Sequence, residues 1–201
     1  MFVTFEGIDG SGKTTQAALL ADALRADGRE VVLLREPGGT PLGDRLRDLL
    51  LHGPMITGWA ESALFAAARA ELVETTIRPA LERGSTVVCD RYLDSSLVYQ
   101  GYARGLGIPA VYELNMTATG GLLPDLTFVL LLEADAARAR MTGSPDRIER
   151  EDAAFTARLA EGYGKIVLMF FGRCIAIDAT KPPIEIAEEI RELARDGARA
   201  G

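Results

Sequence analysis

Apolar residues along this chain occur in two alternating kinds of run. Short runs rich in Val, Leu, Phe and Ile lie at 2–5, 30–35, 86–90, 126–132 and 173–178 and read as strands. Between them apolar residues recur at helical spacing, as at Leu19, Leu20, Ala23 and Leu24 within 15–26. Further helices are expected at 42–51, 58–83, from 96 to about 104, 109–119, 152–170 and 183–195. The run at 126–132 is continuously apolar, which suits a strand covered on both faces. Pro79 predicts a kink near the end of the long alanine-rich helix, Gly120 and Gly121 close the helix at 109–119, and Pro183 suits the first turn of the last helix. Segment 36–41 is a loop by composition, and 134–151 turns polar and basic. Strands alternating with helices imply parallel β-α-β units with right-handed crossovers.

Length and composition narrow the picture. Two hundred and one residues without an internal repeat or linker fit one domain over 1–201, with a lid segment at about 138–150. The net charge of −7 argues against a nucleic-acid-binding surface, so an anion site must rely on local arginines and backbone amides. Glu6 and Asp9 interrupt the N-terminal apolar run, which speaks against a signal peptide, and no stretch is long enough to span a membrane. Cys89 and Cys174 each sit in an apolar strand-like run and read as buried side chains rather than a disulfide or metal pair. The expected location is cytoplasmic.

The chemistry concentrates after the first strand. Gly7-Ile8-Asp9-Gly10-Ser11-Gly12-Lys13-Thr14 matches G-x-x-x-x-G-K-[ST] and stands between a strand and a helix, with Thr15 following. Glycines let the backbone wrap an anion and aim its N–H groups inward, and the helix N-terminus adds partial positive charge. Lys13 is placed to reach the outer phosphates of the bound ligand, and the Thr14 hydroxyl to hold Mg2+. A switch GTPase would need Asn-Lys-x-Asp, whereas the single asparagine, Asn115, precedes methionine. Arginines scattered over several loops suit transfer of a phosphoryl group to a second anionic substrate. Ligands of an open parallel sheet sit beyond the carboxyl ends of the strands, where Arg35 and the Asp90–Arg91 pair fall. Asp90 could orient the metal and Arg91 clamp an acceptor phosphate, or the two form a surface ion pair at a strand end. Phe65 and Arg69 share a helix face, either gripping a planar base or serving as a core aromatic beside a snorkelling arginine. Arg138, Arg140, Arg147 and Arg150 belong either to a closing lid or to a solvated helix end.

Several of these stretches closely resemble bacterial thymidylate kinases: the loop at 7–16, Arg-Glu-Pro-Gly-Gly-Thr at 35–40, and Asp-Arg-Tyr-Leu-Asp-Ser-Ser-Leu-Val-Tyr-Gln-Gly-Tyr-Ala-Arg-Gly at 90–105. Pro124-Asp125-Leu126-Thr127, Asp146-Arg147-Ile148-Glu149 and Ile177-Asp178-Ala179-Thr180 extend the likeness to about residue 190. The resemblance implies an α/β, P-loop three-layer α/β/α fold with a five-stranded parallel sheet and a short helical lid, phosphorylation of dTMP by ATP with magnesium, and a homodimer. It places Phe65 on thymine, Arg69 at a thymine carbonyl, Arg91 on the dTMP phosphate, and Glu36 and Pro37 below it. Arg47 joins the substrate-binding candidates. Ser96 and Gln100 lie along the base, and Tyr99 crowds the site of a ribose 2′-hydroxyl. Asp9 stands near the acceptor sugar and metal, and adenine rests at Ala179 and Thr180. Ser11 occupies the loop position that marks the type drawing catalytic arginines from the lid, so Arg140 or Arg147 is the expected phosphate bridge. Thr142 stands before Gly143 where the family carries a basic residue, and the apolar run 167–171, where it is more polar, reads as core or subunit contact. Other deoxynucleoside monophosphates as acceptors, or nucleotide binding with weak catalysis, are the competing readings.

Overall fold

A computed structural model describes residues 1–141 and 145–200. Five strands form one parallel sheet: β1 (Phe2–Glu6), β2 (Val31–Arg35), β3 (Thr86–Asp90), β4 (Leu126–Leu131) and β5 (Cys174–Asp178), in the order β2-β3-β1-β4-β5. The central strand β1 has all five side chains buried, whereas the edge strands β2 and β5 carry exposed ones. The run at 126–132 is covered on both faces as its composition implied. Cys89 and Cys174 are buried and free.

Helices cover both faces. α1 (Lys13–Ala26) packs on β1, β2, β3 and on α9 (Pro183–Ala200). Opposite, α8 (Ala153–Met169) lies over β4 and β5 and against the turn at Leu97–Ala103, which α6 (Ile108–Ala118) and α3 (Gly58–Leu72) also touch, and α3 meets α2 (Pro41–His52). Local chemistry sets these ends: the Thr40 hydroxyl accepts from the Gly43 N–H at 2.9 Å ahead of Pro41, and Asp152 caps α8 through the Phe155 N–H at 2.7 Å.

The stretch expected as one helix over 58–83 has three parts. α3 widens at Val73–Ile77 into a turn closed by i→i+5 hydrogen bonds, then resumes as α4 (Arg78–Glu82). Pro79 offers no N–H and its ring crowds the carbonyl four residues back, so widening replaces a simple kink. A similar wide turn, Leu97–Ala103, follows the one-turn helix α5 (Leu93–Ser96). The basic segment opens as α7 (Ala134–Arg140), while Thr142 and Gly143 of the expected lid lie outside the described residues. In the run 167–171, Phe170 stacks on Tyr112 and Val167 packs on the core, but Leu168, Met169 and Phe171 are exposed. Among the described residues no helix is long and apolar enough to cross a membrane.

Candidate active site

The central strand delivers the glycine loop to the carboxyl edge of the sheet. Gly7, Gly10 and Gly12 have φ of +141°, +82° and +97°, a region that side chains disfavour. Space excludes side chains as well: a Cβ on Gly7 would meet the Leu130 carbonyl oxygen at 2.6 Å, and one on Gly10 would strike the Ala137 carbonyl of α7. Gly12 caps α1 with no side chain bonded to the first-turn amides, which leaves them facing an anion-sized concavity. Lys13 Nζ donates to the Ile8 carbonyl at 2.8 Å and stands 3.6 Å from Asp9. Burial, then the Arg91 charge, pushes the ammonium down to about 8.

Beside the loop opens a cavity of about 610 Å³. Asp9, Gly10, Gly12, Lys13, Thr14 and Thr15 line one end, and Glu36, Pro37, Arg47, Phe65 and Arg69 the other. Asp90, Arg91, Ser96, Tyr99 and Gln100 stand between, and Arg140 enters from α7. Gly7, Ile8 and Ser11 of the same loop do not line the cavity. Ala179 and Thr180 lie past β5, outside the cavity wall, but Arg140 Nη1 donates to the Ala179 carbonyl at 3.0 Å and links the two. Arg147 does not line this cavity; it is buried against Glu61 at 2.8 Å and the Leu50 carbonyl at 2.7 Å.

Arg91 is the hub. It is the single non-glycine residue with positive φ among those described, at +72°. Its guanidinium pairs with Asp9, donates to Tyr99 Oη at 3.2 Å, and lies 5.2 Å over the Tyr99 ring. Burial alone would raise the Asp9 carboxyl, yet Arg91 and Lys13 hold it well below the usual carboxylate range. At the far end the five N–H groups of Arg69 all face acceptors: Glu36 at 2.7 Å twice, Ser96 Oγ at 3.0 Å, Asn115 Oδ1 and the Tyr92 carbonyl at 3.0 Å. The other Glu36 oxygen is buried without a partner, and burial raises that carboxyl despite Arg69. Phe65, half-buried, supplies an apolar wall.

A sequence model described as thymidylate kinase matches residues 5–190. The chain belongs to the thymidylate kinase family. It is 47% identical to the thymidylate kinase of Deinococcus radiodurans over 195 residues, 94% of either chain. With that of Synechococcus sp. (strain JA-3-3Ab) it shares 48% over 192 residues, 94% of this chain and 93% of the relative. The crystal structure of thymidylate kinase from Ehrlichia chaffeensis superposes with a TM-score of 0.81 at 34% identity, covering 96% of this chain and 98% of that one. The family's P-loop fold therefore accounts for the sheet order and helical layers described above.

For a thymidylate kinase the metal site is expected at Thr14 and Asp90, and their geometry suits it. Asp90 Oδ2 accepts from Thr14 Oγ1 at 2.5 Å, while Oδ1 is buried with no partner. Among the described residues no group of three or more His, Cys, Asp or Glu side chains is placed to hold a metal ion. Sequence reasoning missed four residues that organise the site. Ser95 lines the cavity next to the expected Ser96; Glu6 and Tyr163 stand behind Arg91; Glu61 joins Gln100, Arg104 and Arg147. Burial, then Asp94, pushes the Glu6 carboxyl up to about 7, with Arg91 opposing. A carboxylate ending a strand or opening a helix carries no spacing signal that marks such roles.

Proposed function

We propose that this chain transfers the γ-phosphoryl group of ATP to dTMP, giving ADP and dTDP. The observation that carries this is one cavity joining the amide-lined glycine loop to an aromatic pocket, with Arg91 between them. A dTMP phosphate oxygen forms the new P–O bond to the γ-phosphorus as the bond to the β,γ-bridging oxygen breaks toward ADP. The protein's contribution is alignment and neutralisation of charge. Loop amides and Lys13 hold the donor phosphates; Arg91 holds the acceptor phosphate in line. Asp9, kept ionised by its two cations, orients Arg91 and Lys13. Bound through Thr14 and Asp90, Mg2+ would neutralise charge on the phosphate oxygens.

Phe65 stacks on thymine, and Arg69 with Ser96 and Gln100 reads its edge. To reach a thymine carbonyl, Arg69 must exchange one present acceptor, and the Ser96 hydroxyl is a neutral one that lines the cavity. Tyr99 disfavours a ribose 2′-hydroxyl. We assign the phosphate bridge to Arg140, supported by its place in the cavity wall, and give Arg147 a structural role at the lid base. Arg140 also ties the lid to the expected adenine position at Ala179 and Thr180. The reading extends to one domain over 1–201, a cytoplasmic setting and a homodimer, which light scattering should register as about twice 21.6 kDa. A coupled kinase assay offering dTMP, dUMP, dCMP and dGMP tests the proposal. dTMP should give the highest kcat/KM; preference for another acceptor would overturn it.

A further inference from the structure

Glu6 is fully buried at the end of β1, directly before the glycine loop, and does not line the cavity. Its Oε1 accepts from the Tyr92 N–H at 2.8 Å and the Ser95 N–H at 3.2 Å. Its Oε2 accepts from Ser95 Oγ at 2.6 Å and Tyr163 Oη at 3.2 Å. These two hydroxyls are the next link: Arg91 Nη1 donates to Ser95 Oγ at 3.0 Å and to Tyr163 Oη at 3.1 Å, besides the Gly7 carbonyl at 3.2 Å. Tyr163 reaches this point because Gly162 lets α8 approach closely; a Cβ there would lie 2.9 Å from Val98 and 3.0 Å from Tyr102.

The direction of the chain follows from the chemistry of its members. An ionised carboxylate only accepts, so the Ser95 and Tyr163 hydrogens turn toward Glu6 and their lone pairs turn toward the guanidinium. The same carboxylate grips the backbone on the far side of Arg91, whose own N–H is held by the Phe5 carbonyl at 2.9 Å. A left-handed conformation at a non-glycine residue persists only where its surroundings over-determine it. We infer that Glu6 is a positioning residue, which fixes the turn at Arg91 and, through Ser95 and Tyr163, aims its guanidinium across the acceptor end of the cavity. An isosteric amide would not serve, because its NH2 group would face either the Tyr92 and Ser95 N–H donors, opposing them, or the two hydroxyls, turning a hydroxyl hydrogen back toward Arg91.

This assignment rests on the reading of Arg91 as the clamp on the dTMP phosphate, and kinetics above pH 7, where the carboxylate prevails, separate the two. Glu6→Gln should lower kcat/KM for dTMP by about 10–100-fold and leave the KM for ATP within about twofold. The double variant with Arg91→Ala should be no worse than Arg91→Ala alone. If Glu6→Gln does not fold, Tyr163→Phe carries the test, with the same selective loss expected at about 3–10-fold. A crippled Arg91→Ala beside an unaffected Glu6→Gln would overturn the role of Glu6 alone, as would an equal loss for both substrates, multiplicative effects in the double variant, or unchanged dTMP kinetics in Tyr163→Phe. Wild-type dTMP kinetics in Arg91→Ala would overturn both the acceptor reading and the inference built on it.

Discussion

Glu61→Gln should destabilise the protein. Glu61 lies in the first turn of α3 and is 1% exposed. One carboxylate accepts from Gln100 at 2.9 Å, from Arg104 at 2.7 and 3.1 Å, and from Arg147 at 2.8 Å. Arg104 keeps a second partner, Glu151, at 2.8 Å and is partly exposed, so its share of the loss is below about 1 kcal/mol. Arg147 is different: buried, with Nη1 already lacking a partner, it would hold an uncompensated charge. Breaking one side of such a pair costs about 3–5 kcal/mol, or roughly 10 °C in Tm for a chain of this size. Burial alone would raise the Glu61 carboxyl, but Arg104, Gln100 and Arg147 lower it below its ordinary 4.5. A depressed carboxylate contributes fully above that value and loses its contribution as pH falls through the folded pKa. Urea unfolding of wild type and variant at neutral and acid pH measures both effects. A neutral-pH loss under about 1 kcal/mol, or a loss that does not shrink in acid, would refute the account of Arg147 as a charge dependent on Glu61.

Three further outcomes follow from the cavity. Lys13→Ala should lower kcat by about 10²–10³-fold with an unchanged far-UV spectrum, because its hydrogen bond serves only the Ile8 carbonyl; near-wild-type turnover would remove its role. Phe65→Ala should raise the KM for dTMP about tenfold through lost stacking while sparing that for ATP, and equal changes would dismiss the base platform. The Lys13 ammonium, pushed down to about 8, is the binding form, so kcat/KM for ATP should hold at neutral pH and fall as pH rises through that value. A flat alkaline limb in the pH profile would contradict the assignment.

The legible parts of this molecule are those whose causes lie close together in the chain. The buried central strand, the glycine loop and α1 announce themselves because hydrophobic period and backbone freedom act over a few residues. Even there the fine structure depends on partners elsewhere: Gly10 must be bare because α7 packs against it, more than a hundred residues later in the chain. α7 itself is alanine- and arginine-rich, so its helical propensity is local while its contact with the glycine loop is not.

Convergence in space hides the rest. Arg147 and Arg140 are equivalent as basic residues of one segment, and only a carboxylate 86 positions away separates their fates. Tyr163 meets Glu6 across 157 positions of chain, and no local pattern relates an α8 residue to the end of β1. The difference between the two arginines also explains why charge along the segment is a poor guide to its chemistry. A guanidinium whose donors are met by Glu61 and the Leu50 carbonyl must give up both to reach a phosphate, and doing so would leave the buried Glu61 carboxylate with Arg104 as its one cation. Arg140, held among the described residues by one backbone carbonyl at the cavity wall, gives up far less. The arginine free to follow a moving phosphoryl group is therefore the one with the weaker resting partner, and Arg140→Ala should lower kcat while Arg147→Met acts first on stability.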